Sequence, residues 1–88
     1  MKPRYTKYDE GKFLGRHGEF DVYSKIIDKK SVIVARWDSA PWEYDYLPVE
    51  EVKERAIERI KCKEGYSEGT SVTAMIWGYN ELHGRISI

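Results

Sequence analysis

Two adjoining segments rich in β-forming residues constrain this chain most. From Glu19 to Ile27, Phe20, Val22 and Ile26 fall on one parity while Asp21 and Lys25 fall on the other, the period of two of a strand with one face buried. Asp28, Lys29 and Lys30 break the pattern. Val32, Ile33, Val34, Ala35, Arg36 and Trp37 then set β-branched and aromatic residues on both parities, as a central strand does. The two segments predict a hairpin, with Trp37, at its end, as a core residue.

A helical stripe follows. Val49, Val52, Ala56 and Ile60 cluster at 100° per residue, with Ile57 at the margin. Pro48 suits a first position because its missing N–H costs nothing there. Glu50 and Glu51 lie in the first turn, Lys61 and Lys63 near the end and Gly65 just beyond, each favoured by the helix dipole or by glycine's role as a stop. Glu51 and Arg55 are four residues apart and form a favourable pair. The spacing predicts a helix over 48–64.

After the loop GYSEGT, Val72, Ala74 and Ile76 alternate with Thr73, Met75 and Trp77, which predicts a third strand. GYNELHG then reads as a hairpin loop and Ile86 to Ile88 as part of a fourth strand. Residues 1–18 hold three glycines and three aromatics among charges, which fits a short edge strand or arm followed by a loop. The order β-β-α-β-β implies an α+β sandwich of two layers, a mainly antiparallel sheet of about four strands with one helix on one face. At 88 residues and 10.4 kDa a single domain over 1–88 is expected.

Composition narrows the function classes. Lys plus Arg and Asp plus Glu each number 15, so neither a nucleic-acid protein held by bulk charge nor an acidic mimic working by overall charge fits. An apolar share of 41% with 14% aromatics is too rich for a disordered chain. The longest apolar runs, Val32–Ala35 and Ala74–Trp77, are four residues, against the roughly 20 that span a bilayer. The polar opening MKPRYTKYDEGK lacks the apolar middle of a secretory signal. Cys62 has no partner cysteine, and the expectation is a reducing, cytoplasmic setting.

No spacing signals catalysis or a cofactor. The acids show no recognisable pairing, and His17, His83 and Cys62 would make at most three ligands of an unrecognised zinc site. The ordinary reading of the two histidines is surface or loop residues. GKFLGRHGEF has its glycines before a strand, whereas a phosphate-cradling loop follows one. The expectation is a non-enzymatic protein without cofactor or metal.

The distinctive stretch is residues 37–46, which read as a loop between Trp37 and Pro48. Trp37, Trp42, Tyr44 and Tyr46 there alternate with Asp38, Glu43 and Asp45. Trp and Tyr anchor many interfaces because they offer rigid area with a polar handle, and the carboxylates would face a cationic surface. The competing reading has these rings sealing the edge of a small core. Trp42, Glu43, Tyr44, Asp45 and Tyr46 are therefore the candidate protein-binding residues, for docking on a larger protein. By analogy of size and architecture alone, such a domain suits a virus-encoded inhibitor or modulator of host machinery.

Charge is segregated. Residues 37–51 carry five acids and no base, whereas 52–63 carry five bases against two acids. Residues 1–16 also hold five bases against two acids. The alternative function is single-stranded nucleic-acid binding by Arg4, Tyr5, Lys7, Arg55, Arg59 and Lys63 through phosphate contacts and ring stacking; the competing reading of those charges is a solvated helix face. An enzyme of unrecognised type is a third. A homodimer through an edge strand at Arg85–Ile88 is also compatible with a sheet of this size.

Overall fold

The computed structural model describes residues 11–63 and 69–86. The elements are β1 (Lys12–His17), β2 (Phe20–Ile27), β3 (Lys30–Trp37), β4 (Tyr44–Pro48), α1 (Val49–Lys61) and α2 (Ser71–His83). The strands form one antiparallel sheet in chain order. Both helices lie on one face, where Val22, Ile33 and Ala35 of the sheet meet Val52 and Ala56 of α1 and Ala74, Met75 and Tyr79 of α2. The α+β class is the one expected. The order is β-β-β-β-α-α, with two helices in place of one. Among the described residues no helix is long and apolar enough to cross a membrane.

The predicted hairpin is β2–β3. Ile27 pairs with Lys30, so Asp28 and Lys29 alone make the turn, with φ of 50° and 66°. Positive φ at both positions matches the turn's twist to that of the strands. The pairing then runs without interruption to Phe20 opposite Trp37. Before it, Gly18 (φ 60°) and Glu19 turn β1 back onto β2, so the expected edge strand is residues 12–17. Residues 1–10 of the expected arm lie outside the described residues.

Two expectations change. The segment 37–46 is not all loop: only 38–43 connect, and Tyr44 begins β4. The signal was the alternation of Tyr44 and Tyr46 with Asp45 and Leu47, which puts Leu47 beside Ile33 on the helix-covered face and Tyr46 beside Val34 on the other. Pro48 ends the strand and caps α1, which finishes at Lys61, with Lys63 at φ 56° just beyond.

The second change is larger. Residues 71–77, expected as a strand, open α2, and GYNELHG forms its last turns and the Gly84 cap. This helix is buried by the sheet on one side and α1 on another, so Thr73, Ala74, Met75 and Ile76 are all buried. Apolar residues at consecutive positions mimic a strand at short range. The helix start is nevertheless marked: the Thr70 hydroxyl accepts from Thr73 N–H at 3.1 Å, a side-chain cap. Arg85 and Ile86 form no strand. Ile86 packs on the core and its N–H donates to Asn80 Oδ1, so the edge expected from Arg85 onward is absent there, and residues 87–88 lie outside the described residues.

Two glycines let α2 sit close to the sheet. A Cβ on Gly78 would lie 2.5 Å from Val22 Cγ1 and 3.2 Å from Ile33 Cγ2. Gly15, at φ 142°, leaves room for the Trp77 ring, which a Cβ there would meet at 2.6 Å. That indole also stacks on His17, with centroids 5.6 Å apart. Gly78→Ala should lower stability by about 1–2 kcal/mol in urea unfolding, because overpacking outweighs alanine's better helix propensity. In a Val22→Ala background the added methyl finds space, and the same substitution should become neutral or stabilising.

Candidate protein-docking cleft

At the end of the sheet where β2 begins and β3 finishes, α2 has not yet started to cover it. The gap is an open-sided cleft of about 860 Å³. Phe20 and Ala35 form its floor, the loop carrying Ala40, Trp42 and Glu43 one wall, and Gly69, Thr70 and Ser71 at the α2 start the other. Trp37, Glu19 and Asp45 complete the rim.

Pairing explains how these groups meet. Phe20 opposite Trp37 places the next residues outward, Glu19 and Asp38, side by side, and Asp38 N–H donates to Glu19 O at 3.0 Å. Trp37 shares the helix-side face with Phe20 but lies beyond the point where α2 starts, so it is 43% exposed instead of buried as expected. Its Nε1–H donates to Glu19 Oε2 at 3.0 Å, which fixes the indole plane on the rim. The loop is itself braced, with Ala40 N–H donating to Trp37 O and Glu43 N–H to Ala40 O. These bonds hold Trp42, 61% exposed, in a short defined turn.

The five candidate docking residues divide between the two faces of the sheet. Trp42, Glu43 and Asp45 belong to the cleft. Tyr46 faces the other way, and Tyr44, although it contributes to the cleft lining, is only 4% exposed and clusters with Tyr23, Val32 and Val34 on the side without helices. Tyr44 as an exposed recognition ring is therefore corrected to a core residue, with Tyr46 half-buried beside it at a centroid distance of 5.9 Å. On that face the Phe13 ring lies 5.1 Å from Tyr23. Arg36 spans the Tyr23 ring and reaches Asp21 at 3.5 Å. Glu19 and the exposed Trp37 were missed as site residues. The signal for both was the two-residue turn at Asp28–Lys29, whose register alone sets 19 beside 38.

The electrostatics of the rim differ from residue to residue. Asp38 is neutralised by Arg16, Nη2 to Oδ2 at 3.0 Å, and this bond, then the charge of Asp38, holds the Arg16 guanidinium protonated even beyond its ordinary range. Among the described residues neither Glu19 nor Glu43 forms a close ion pair; the charge of Arg16 reaches Glu19 but is shared with Asp38 and Asp21. The α2 N-terminus on the far wall offers only about half a positive charge, so the cleft carries a net negative field against two accessible indoles.

The basic set is placed differently. Arg4, Tyr5 and Lys7 lie outside the described residues. Arg55 pairs with Glu51 at 3.1 Å, as its spacing implied, and Arg59 Nη1 donates to Thr73 Oγ1 at 3.1 Å, tying α1 to α2. Lys63 is exposed just past α1. Two of these three described cations are thus engaged within the helix layer.

His17 is a strand residue and not the surface or loop histidine expected; its Nε2 is buried beside Trp77 without a hydrogen-bond partner. His83 closes α2 with its ring 4.7 Å from Tyr79. Cys62 is exposed, and no group of three His, Cys, Asp or Glu among the described residues is placed to hold a metal ion. Comparison with protein-family models, with curated proteins and with solved structures returns no match for the chain.

The two aromatic neighbours separate docking from packing. Trp42→Ala should leave the unfolding free energy within about 0.5 kcal/mol of wild type. Tyr44→Ala should cost about 3 kcal/mol by opening a cavity under the sheet. Denaturant titrations of the two variants check both values.

Proposed function

We propose that this protein is a non-enzymatic binding module that docks on a larger protein through the cleft at the end of its sheet. The observation that carries this reading is the pair of exposed indoles, Trp37 and Trp42, set on one concave surface. Large aromatic side chains are the commonest anchors of protein interfaces, and they contribute most where a partner can surround them and exclude water. Here the rings are held by strand register, by the Trp37–Glu19 hydrogen bond and by the loop's own backbone bonds. Ordering them on binding therefore costs less than ordering free side chains.

The placement of Tyr44 in the core also supports a division of labour in the aromatic stretch. One ring holds the β4 strand down while Trp42, two positions earlier, is left for contact. Affinity purification from the native cell, with mass spectrometry, followed by reconstitution with the purified partner, tests the reading. Trp42→Ala should weaken the reconstituted complex at least about 30-fold, the loss of roughly 2 kcal/mol expected of a hot-spot residue. A partner bound equally well by wild type and Trp42→Ala would refute docking through the cleft.

A further inference from the structure

We infer that the cleft takes an arginine side chain presented by an exposed segment of the partner. The inference rests on the docking reading above and gives it a chemistry. An apolar anchor alone would suit indoles on a neutral rim, but this rim holds Glu43, which forms no ion pair among the described residues, and Glu19, which has only a share of the Arg16 charge that Asp38 and Asp21 also draw on. Burying those carboxylates against an uncharged surface would strip their water without replacement. A cation meets both needs at once: it stacks on an indole face and neutralises the acids.

The geometry favours guanidinium over ammonium. Glu19 spends Oε2 on the Trp37 indole N–H, so its carboxylate is fixed in orientation next to the ring it would share with the ligand. A planar group can lie on an indole and direct paired N–H donors edgewise to such a carboxylate, whereas an ammonium is compact and strongly hydrated. A methylated ammonium has no N–H fork for the carboxylates and needs rings on several sides. Of the four rings that line the cleft only Trp37 and Trp42 are exposed; Phe20 is buried in its floor and Tyr44 in the opposite cluster.

Titration of the intact protein with a capped pentapeptide, Gly-Ser-Arg-Ser-Gly, followed by NMR at the indole N–H signals, tests the inference. The Trp37 and Trp42 signals should shift and saturate, while Trp77, between α2 and β1, stays in place. Replacing the arginine by citrulline, which keeps the shape and removes the charge, should weaken binding at least about tenfold. Lysine and trimethyl-lysine peptides should both bind less tightly than arginine. Glu43→Gln should weaken the arginine peptide while leaving the fold intact, as read from the unmoved Trp77 signal.

Absence of any shift at Trp37 and Trp42 up to about 10 mM peptide, an affinity weaker than roughly 3 kcal/mol, would overturn the inference. So would equal binding of the citrulline peptide or tighter binding of trimethyl-lysine. The docking reading stands or falls separately. If the reconstituted complex needs Trp42 but is indifferent to Glu19→Gln and Glu43→Gln, the cleft docks a partner by apolar contact and the arginine assignment is wrong.

Discussion

The close seating of α2 on the sheet is the constraint from which the remaining geometry follows. Gly78 brings the helix backbone against Val22 and Ile33, and Gly15 admits the Trp77 ring over β1. Interiors are packed densely enough that one added methyl at either place must displace a neighbour. With its middle fixed in this way, the start of α2 at Thr70 and Ser71 falls short of the sheet's end, and Phe20, Ala35 and Trp37 are left facing an opening. The cleft is thus a consequence of where the second helix begins. Arg59, bonded to Thr73, ties α1 to the same turn.

The two faces of the sheet use their aromatics differently. Between sheet and helices, small residues such as Ala35, Ala56 and Ala74, with the branched Val22, Ile33 and Val52, permit close layers. On the other face Tyr23, Tyr44 and Tyr46 cover Val32 and Val34, and Arg36 lies over the Tyr23 ring. These rings bury each other across neighbouring strands, the pairwise packing by which a sheet is stabilised. Trp37 and Trp42 belong to neither cluster, and their exposure sets two indoles on one concave surface beside Glu19 and Glu43, neither of which forms a close ion pair among the described residues.

Much of this was legible in the residues. The β2–β3 hairpin, the Val49–Val52–Ala56 stripe and the Glu51–Arg55 pair all rest on local periodicity, and all occur. Two elements escaped for opposite reasons. The α2 helix is enclosed by β-sheet and helix, so its apolar residues fill adjacent positions and hide the 3.6 period; only its 13-residue length and the Thr70 and Gly84 caps distinguished it. β4 was masked by prolines and acids at its borders, although Tyr44, Asp45, Tyr46 and Leu47 alternate. Trp42, Glu43 and Asp45 were recognised as site residues because aromatics and acids alternate there in a stretch interrupted by Pro41 and closed by Pro48. Trp37 was assigned to the core because residue type says nothing about where a distant helix starts, and Glu19 enters only through cross-strand pairing.

Two indoles, Trp37 and Trp42, stand exposed beside carboxylates, while the third, Trp77, is half-buried against His17 and Gly15. Paramagnetic broadening of the three indole N–H signals by a cationic and an anionic nitroxide, used in parallel at low salt, measures both properties in the unaltered protein. Trp37 and Trp42 should broaden strongly, more with the cationic probe than the anionic one, and Trp77 should broaden less than either, with no preference for the cationic probe. Equal broadening by the two probes, or protection of Trp42 comparable to that of Trp77, would contradict that placement.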